Sequence, residues 1–228
     1  MLNSLWIEHF KTISVLNIYD SEVKDWKLEE KVSFIKVVLP AMRETEISMK
    51  KLGYLKIDRR FECYINTSIE IENFNYRFLT KMDMMGLYNE EILQIAKVSF
   101  YNDARFNFLM EYSDESYHIA LKNCIHESKY KFVCIYKGEL AGFILLQPNK
   151  ESVMEVKLAA VTQKYRVLGI GTELYMKALD FCKEKGFQFL YGSIETINLS
   201  AINLYSYLRG KFVTVKDTYL KKVDNNGT

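Results

Sequence analysis

Several features that would indicate a function class directly are missing from this chain. The four cysteines, Cys63, Cys124, Cys134 and Cys182, are scattered without a Cys-x-x-Cys pair, so we expect neither a metal site nor a disulfide framework. No apolar run approaches the roughly 18 residues that a membrane span requires, and the first ten residues lack a basic segment followed by an apolar one. These absences predict a cytoplasmic protein with no membrane partner.

The composition is that of an ordinary globular protein. The 228 residues carry a net charge of +2, with 49% hydrophobic and 26% charged residues. This balance argues neither for nor against nucleic acid, and we expect no nucleic-acid partner. The length is sufficient for one large domain or two small ones. The polar stretch Glu70–Asn75 suggests a boundary between a small α/β lobe, residues 1–75, and a larger domain, residues 76–228.

Hydrophobic periodicity predicts most elements of both parts. In the lobe, we expect a strand at Ile13–Tyr19, a helix over Leu28–Leu52 broken at Pro40, and a strand at Leu55–Thr67. Beyond it, we expect a strand at Tyr76–Thr80 and a helix from Gly86 or Leu87 to about Phe100, with Leu87 and Val98 among its buried residues. A loop to about Phe108, a helix at Glu115–His126 and a hairpin turning at Lys137-Gly138 follow.

The most informative stretch is Val156–Gly171. A buried strand at Val156–Val161 precedes a turn with two glycines, and the run Thr172–Lys185 has the apolar spacing of a helix that ends at Gly186. A glycine turn that leads into a helix N-terminus presents unpaired N–H groups and the positive end of the helix dipole. This arrangement suits a pyrophosphate.

Three phosphate-binding patterns could occur here. A P-loop is excluded because Thr172 and Glu173 follow Gly171 where Gly-Lys-Ser/Thr would be needed. A dinucleotide fingerprint is excluded because Leu174 occupies the third glycine position. The pattern that fits is Arg166-x-x-Gly169-x-Gly171, although six residues alone are also compatible with an ordinary glycine turn.

The downstream sequence supports this pattern. A strand is expected at Phe189–Ile194, a helix at Leu199–Leu208 with Asn198 as its N-cap, and a closing strand at Lys211–Lys222. Asn198-x-x-Ala201-x-x-Leu204-Tyr205, in this order after the glycine motif, is similar to the second motif of the GNAT superfamily of N-acyltransferases. The resemblance covers roughly residues 76–222.

The resemblance implies an α/β (α+β) GNAT fold, with a central mixed, twisted sheet flanked by helices. It also implies acetyl-CoA or another short-chain acyl-CoA as cofactor. The residues that it implies for cofactor binding are Ala160, Val161, Arg166, Val167, Leu168, Gly169, Ile170, Gly171, Thr172, Asn198, Ala201 and Tyr205.

Within the superfamily, the chain resembles the dTDP-fucosamine N-acyltransferase branch, through its extra N-terminal lobe, Leu52-Gly53-Tyr54 and Ala104-Arg105-Phe106. This resemblance implies a dTDP-linked amino-dideoxyhexose as acceptor, in surface-polysaccharide synthesis, and a homodimer. A forked cation and aromatic faces would hold such a nucleotide sugar. The implied substrate-binding residues are Arg105, Phe106, Tyr112, Tyr117 and His118.

Acyl transfer to an amine requires a proton donor for the departing thiolate. Tyr205 falls on the family position near the CoA sulfur, which implies the role of general acid. Arg209 stands where the family usually has glycine, so Tyr207 is the alternative acid. Glu155, Glu195, His118 or a water chain could accept the amine proton. Two other functions stay open: acetylation of a protein or peptide amine, and acyl-CoA binding without catalysis.

Overall fold

The computed structural model describes residues 6–10, 13–19, 32–71, 74–110 and 114–223. Within these ranges ten strands form one mixed sheet in the order β1-β2-β3-β10-β4-β9-β8-β7-β6-β5. The strands are β1 Trp6–Phe10, β2 Ile13–Tyr19, β3 Phe34–Pro40, β4 Leu55–Asn66, β5 Leu79–Met82, β6 Tyr130–Tyr136, β7 Glu139–Lys150, β8 Val153–Val161, β9 Phe189–Glu195 and β10 Lys211–Lys222. Adjacent strands are antiparallel except for the pairs β2–β3 and β8–β9.

Helices cover both faces of the sheet. They are α1 Arg43–Lys51, α2 Asn89–Ser99, α3 Ala104–Met110, α4 Asp114–Glu127, α5 Ile170–Glu184 and α6 Leu199–Tyr207, with a 3₁₀ segment at Gln163–Leu168 before α5. On β7, Ile144 packs with α5, whereas its neighbours Phe143 and Leu145 pack with α2 and α4. Because successive strand residues point to opposite faces, α5 and α6 lie on one face and α2 and α4 on the other. The result is the mixed α/β GNAT fold that the motifs predicted.

Local signals in the second half of the chain are confirmed. The closing strand has the predicted bounds, and the hairpin turn places Lys137 at φ 52° and Gly138 at φ 79°. The side chain of Asn198 accepts a hydrogen bond from the N–H of Ala201, as an N-cap does. Helix α5 begins two residues earlier than predicted, at Ile170, because Gly169 takes the left-handed conformation that the turn requires.

Two predicted elements, a helix and a loop, differ from the structure. The predicted helix over Leu28–Leu52 is strand β3 followed by helix α1, and its first residues lie outside the described part. The run Phe34–Pro40 contains Ile35, Val37 and Val38, and such β-branched residues favour a strand that pairs with β2 and β10. The segment 99–108, predicted as a loop, contains the start of α3.

The remaining corrections concern the region around α2. The strand predicted at Tyr76–Thr80 begins at Leu79, because the N–H groups of Arg77 and Phe78 donate to the Glu173 carboxylate instead of to a neighbouring strand. Leu87 and Val98, predicted to be buried, are 70% and 72% exposed.

The division at residue 75 stays a prediction. In the sheet, the two predicted parts are continuous, because β4 lies between β9 and β10. Among the described residues, no helix combines the length and the apolar character that crossing a membrane demands.

Candidate functional site

The sheet opens between β8 and β9. The two strands pair only over Val153–Glu155 and Phe189–Tyr191, and beyond these residues they diverge around a cavity of about 80 Å³. Their outer edges stay paired, β8 with β7 and β9 with β4. The inner edges therefore offer backbone groups to a ligand that enters the gap.

Strand geometry decides which backbone groups face this gap. The N–H of Thr162 donates to Ala141 O on the β7 side, and Lys157 O accepts from Arg105 Nη1 at 3.3 Å on the gap side. Because backbone groups alternate between the two edges of a strand, Ala159 and Val161 face the gap. Ala160, predicted with Val161 to bind the cofactor, instead has its backbone groups on the β7 side.

Two tyrosines close the gap on the side of α5 and α6. Tyr205 is 2% exposed, and its hydroxyl lies 3.3 Å from that of Tyr175. Its phenol lies against Gly192 on β9, where a Cβ atom would overlap the Tyr205 hydroxyl. Burial and the neighbouring Tyr175 raise the pKa of Tyr205 well above its usual value. The phenol therefore keeps its proton near neutral pH and can donate it.

Tyr207, the alternative acid, points elsewhere. Its side chain is 53% exposed and lines a crevice at the start of α5. Helix α6 ends with hydrogen bonds from Arg209 N–H to Ser206 O and from Gly210 N–H to Tyr205 O, the pattern of a Schellman motif. Arg209 holds the left-handed position at φ 53°, so the helix ends normally in spite of the missing family glycine.

The glycine motif forms a cradle at the N-terminus of α5. The recorded hydrogen bond from Glu173 N–H to Gly169 O begins the helix, so the N–H groups of Ile170, Gly171 and Thr172 lie in the first turn, where an α-helix provides no acceptor. Gly169 takes φ 87°, and a Cβ atom there would lie 2.8 Å from Arg77 Nη2. The crevice beside it, of about 260 Å³, is open. These features fit the diphosphate of acyl-CoA.

The other members of the predicted cofactor set lie around this cradle. Arg166, Val167 and Leu168 belong to the 3₁₀ segment, in which Arg166 and Val167 are exposed. Asn198 and Ala201, at the start of α6, line the gap with Tyr205. The guanidinium of Arg77 also lies here and donates to Leu168 O at 2.7 Å beside the cradle. No local motif marks Arg77, because only the fold brings it within reach of residues about 90 positions away.

A larger cavity, of about 450 Å³, lies on the opposite face of the sheet. Strands β3, β10, β4, β9 and β8 form its floor, and α3 and α4 cover it. Arg60, Arg105, Lys157 and Ser193 line both this cavity and the gap, so the two spaces adjoin. The other charged side chains of the lining are Glu8, Lys36, Glu62, Glu127, Glu155 and Lys216.

Arg105 is a wall of the cavity rather than a free cation. Its guanidinium forms a forked pair with Asp103, with Nη2 at 2.7 Å from Oδ2, and lies over the rings of Phe100 and Phe106. Burial alone would raise the pKa of Asp103, but the Arg105 charge and hydrogen bonds outweigh burial and hold the pKa at about 2. Arg105 could bind a substrate diphosphate only through guanidinium N–H groups that do not already donate to Asp103.

Of the other residues predicted to bind the substrate, some line the large cavity and others do not. Phe106 lines the large cavity, as expected of an aromatic face. Tyr117 is 3% exposed, and its hydroxyl donates to Lys97 O at 2.8 Å, so it is a core residue between α2 and α4 and the expectation of a sugar contact is corrected. His118 is half-buried and is not among the residues that line this cavity. Tyr112 lies outside the described residues.

Arg60 lies buried beside the gap rather than in solvent. It is 7% exposed and pairs with Asp58, with Asp103 at 2.8 Å and with Glu195 at 3.1 Å. Glu195 also accepts from Ala104 N–H, and burial followed by the Asp103 charge raises its pKa. A carboxylate of raised pKa beside the gap is a candidate proton acceptor.

Comparison with known proteins agrees with this geometry. The model of the acetyltransferase (GNAT) family matches residues 97–209. Over 108 residues the chain is 28% identical to streptothricin acetyltransferase A of Bacillus subtilis, which corresponds to 46% of this chain and 61% of that relative. The chain therefore spans less than two thirds of that relative's length.

Solved structures show the same fold. A Drosophila protein has a TM-score of 0.64 at 12% identity, over 96% of this chain and 74% of that one. A GCN5-related N-acetyltransferase from Sphaerobacter thermophilus has a TM-score of 0.58 at 13% identity, over 83% of this chain and 59% of its own. Residues 97–209 thus match the acetyltransferase (GNAT) family model, and the described chain has the fold of these solved structures.

Proposed function

We propose that this protein is an acyl-CoA-dependent N-acyltransferase that moves an acetyl or another short acyl group to the amine of a small acceptor. One observation carries the proposal: the gap between β8 and β9 leads from the cradle side of the sheet to the large cavity on the other face. A thioester that enters from one side would meet an amine held on the other. Such positioning removes much of the entropic cost of a two-substrate reaction.

The cofactor would lie along the cradle side. Its diphosphate would accept hydrogen bonds from the N–H groups of Ile170, Gly171 and Thr172, with Arg77 and Arg166 as nearby cations. Its pantetheine arm would pair with the free edge of β8, where Ala159 and Val161 face the gap. The N–H of Val161 would also hold the oxyanion that forms during attack.

The chemistry needs one proton donor and one proton acceptor. The acceptor amine attacks the thioester carbon, and the bond from carbon to sulfur breaks. Tyr205, which stays protonated near neutral pH, gives its proton to the departing thiolate. Glu195, or a water molecule beside it, takes the proton of the amine. Tyr205 is then reprotonated from solvent through the gap.

The acceptor that we propose first is a dTDP-linked amino-dideoxyhexose, with a homodimer as the working assembly. Phe106 and Phe108 in the wall of the cavity supply the aromatic surface that thymine or a sugar ring needs. A second candidate is a streptothricin-like amine, which the name of the Bacillus relative suggests. Both are small molecules, and a cavity of about 450 Å³ between a sheet and two helices favours them over a protein surface.

The test is an acceptor panel. The protein is incubated with acetyl-CoA and a dTDP-amino sugar, streptothricin or a peptide, and release of the CoA thiol is measured, with Tyr205→Phe as the control. We expect turnover on a small amine that Tyr205→Phe suppresses. Turnover on the peptide alone would reject a small-molecule acceptor, and binding of acetyl-CoA without turnover on any amine would reject the enzymatic role.

A further inference from the structure

One cation in the large cavity is not explained by the chemistry above. Lys36 lines the cavity from β3, while the reacting centre lies at the gap beyond β9. Among the residues that the structure describes, none accepts a hydrogen bond from its ammonium or forms an ion pair with it. The other basic residues of the lining differ, since Arg60, Arg105, Lys157 and Lys216 all pair with carboxylates.

An unpaired ammonium in such a place is unfavourable for folding. Burial lowers the pKa of Lys36, and the charge of Glu8 opposes that effect only in part. Buried charges are normally paired or hydrogen-bonded, because an uncompensated one is costly. A cation kept without a protein partner inside a ligand-sized cavity is typical of a group whose partner is the ligand.

A second polar side chain beside Lys36 is only partly hydrogen-bonded. Asn17 pairs directly with Lys36 in the register of β2 and β3, so both side chains point to the same face. Asn17 is fully buried, its Nδ2 makes one contact of 3.4 Å to Val15 O, and its Oδ1 has no partner among the described residues. The ammonium of Lys36 and the Oδ1 of Asn17 are therefore neighbouring polar groups without a hydrogen-bond partner among the described residues.

Distance adds a constraint on the ligand. Lys36 on β3 and the gap beside β9 are separated by β10 and β4. At about 4.8 Å for each strand spacing, the two backbones lie at least about 14 Å apart across the sheet. A molecule that touches both ends must be elongated, even after the reach of the side chains is subtracted.

From these observations, and resting on the proposed function, we infer that the acceptor carries an anionic group, a carboxylate or a phosphate ester, which Lys36 binds while the amine at the other end of the molecule reaches the gap. Lys36 is thus a specificity-determining residue. The sequence suggested Arg105 as the partner of the anion, but Asp103 already pairs with the Arg105 guanidinium. Lys36 takes that role instead.

The experiment compares acceptors that carry an anionic group with acceptors that lack it. Initial rates of thiol release are measured for 6-aminohexanoate against hexylamine, and for a dTDP-amino sugar against the free amino sugar; the two pairs distinguish a carboxylate from a phosphate source. Each rate is measured for the wild type, Lys36→Met and Lys150→Met. Lys150 is an exposed control at the end of β7.

We expect kcat/KM to be at least about tenfold higher for the anionic member of one pair, as for a charge-assisted hydrogen bond. Lys36→Met should reduce the rate of the anionic acceptor to that of the neutral amine and raise Tm, because it removes a half-buried charge that has no ion-pair partner among the described residues. Equal rates within both pairs, or a preference that persists in Lys36→Met, would overturn the inference and leave the acyltransferase proposal intact.

If no amine is turned over, ligand binding can still test the anion site separately from the acyltransferase proposal. Calorimetric titration with dTDP and with 6-aminohexanoate then decides. Binding of either ligand that Lys36→Met weakens by about tenfold would support the anion site although the proposed activity had failed. Failure of both ligands to bind the wild type, or equal binding to Lys36→Met, would overturn the anion site as well.

Discussion

At the scale of single residues, the site depends on contacts between distant parts of the chain. Tyr205 was predicted from its motif, but its partner Tyr175 and the close fit to Gly192 come from packing. Arg105 illustrates the opposite case. Its residue type suggested a ligand contact, but its guanidinium already pairs with Asp103, two positions earlier. A local pattern indicates which chemistry is available, and it does not reveal whether a charged group has another partner.

The role of Tyr205 predicts a separation of catalysis from binding. Tyr205→Phe should lower kcat by about 100-fold or more, because general acid catalysis is lost, while the Kd for acetyl-CoA stays within about twofold. The conservative control is Tyr207→Phe, whose hydroxyl lies at the surface. An unchanged kcat in Tyr205→Phe would remove this residue from the acid role.

The contact between Gly192 and Tyr205 predicts a packing defect. Gly192→Ala should lower the free energy of unfolding by about 1–3 kcal/mol, because the new methyl group overlaps the phenol and the ring must move. The variant should also lose kcat, since the hydroxyl moves with the ring. Ser193→Ala is the neighbouring control. The free energy of unfolding of each variant is measured by urea unfolding. Wild-type stability in Gly192→Ala would show that Tyr205 does not lie against β9.

The ion pair of Asp103 predicts a dependence of stability on acid. Its pKa is lowered from 3.8 to about 2, so ionised Asp103 stabilises the fold by about 2 kcal/mol above pH 4. This contribution is lost as the pH falls through the folded-state value. The difference in the free energy of unfolding between the wild type and Asp103→Asn should therefore shrink from pH 6 to pH 3. A difference that is constant over this range would contradict the assignment.

At the scale of elements, the success of the sequence prediction follows the strength of the local signal. The closing strand, the hairpin and the cap of α6 were predicted because each has its own pattern. The run Leu28–Leu52 was misread because its apolar spacing fits a helix, whereas pairing of β3 with β2 and β10 decides its conformation. The late start of β5 was equally hidden, since it depends on Glu173, about 95 residues away.

The end of α6 predicts a stabilising substitution. Arg209 occupies the left-handed C′ position, which costs a non-glycine residue roughly 1–2 kcal/mol. Arg209→Gly should raise the free energy of unfolding by about 1 kcal/mol, since glycine's greater freedom in the unfolded chain offsets part of the gain. Arg209→Ala keeps the strain and should give no increase. Thermal unfolding compares the two, and equal effects would show that backbone strain is not the cause.

At the scale of the whole molecule, the organising feature is the opening through the sheet. The cradle and the two tyrosines lie on one side of it, and the large cavity lies on the other. Sequence motifs indicated the cradle side, because the backbone geometry there needs glycine and a helix start. The cavity side has no motif, since side chains from six strands and two helices form it, and Lys36 could be recognised only in the folded chain.

The most direct test is a crystal structure of the protein with acetyl-CoA. The account predicts diphosphate oxygens at about 2.7–3.2 Å from the N–H groups of Ile170, Gly171 and Thr172, and the thioester in the gap between β8 and β9 beside Tyr205. Acetyl-CoA bound away from the start of α5, or a gap that stays closed to the pantetheine arm, would contradict it.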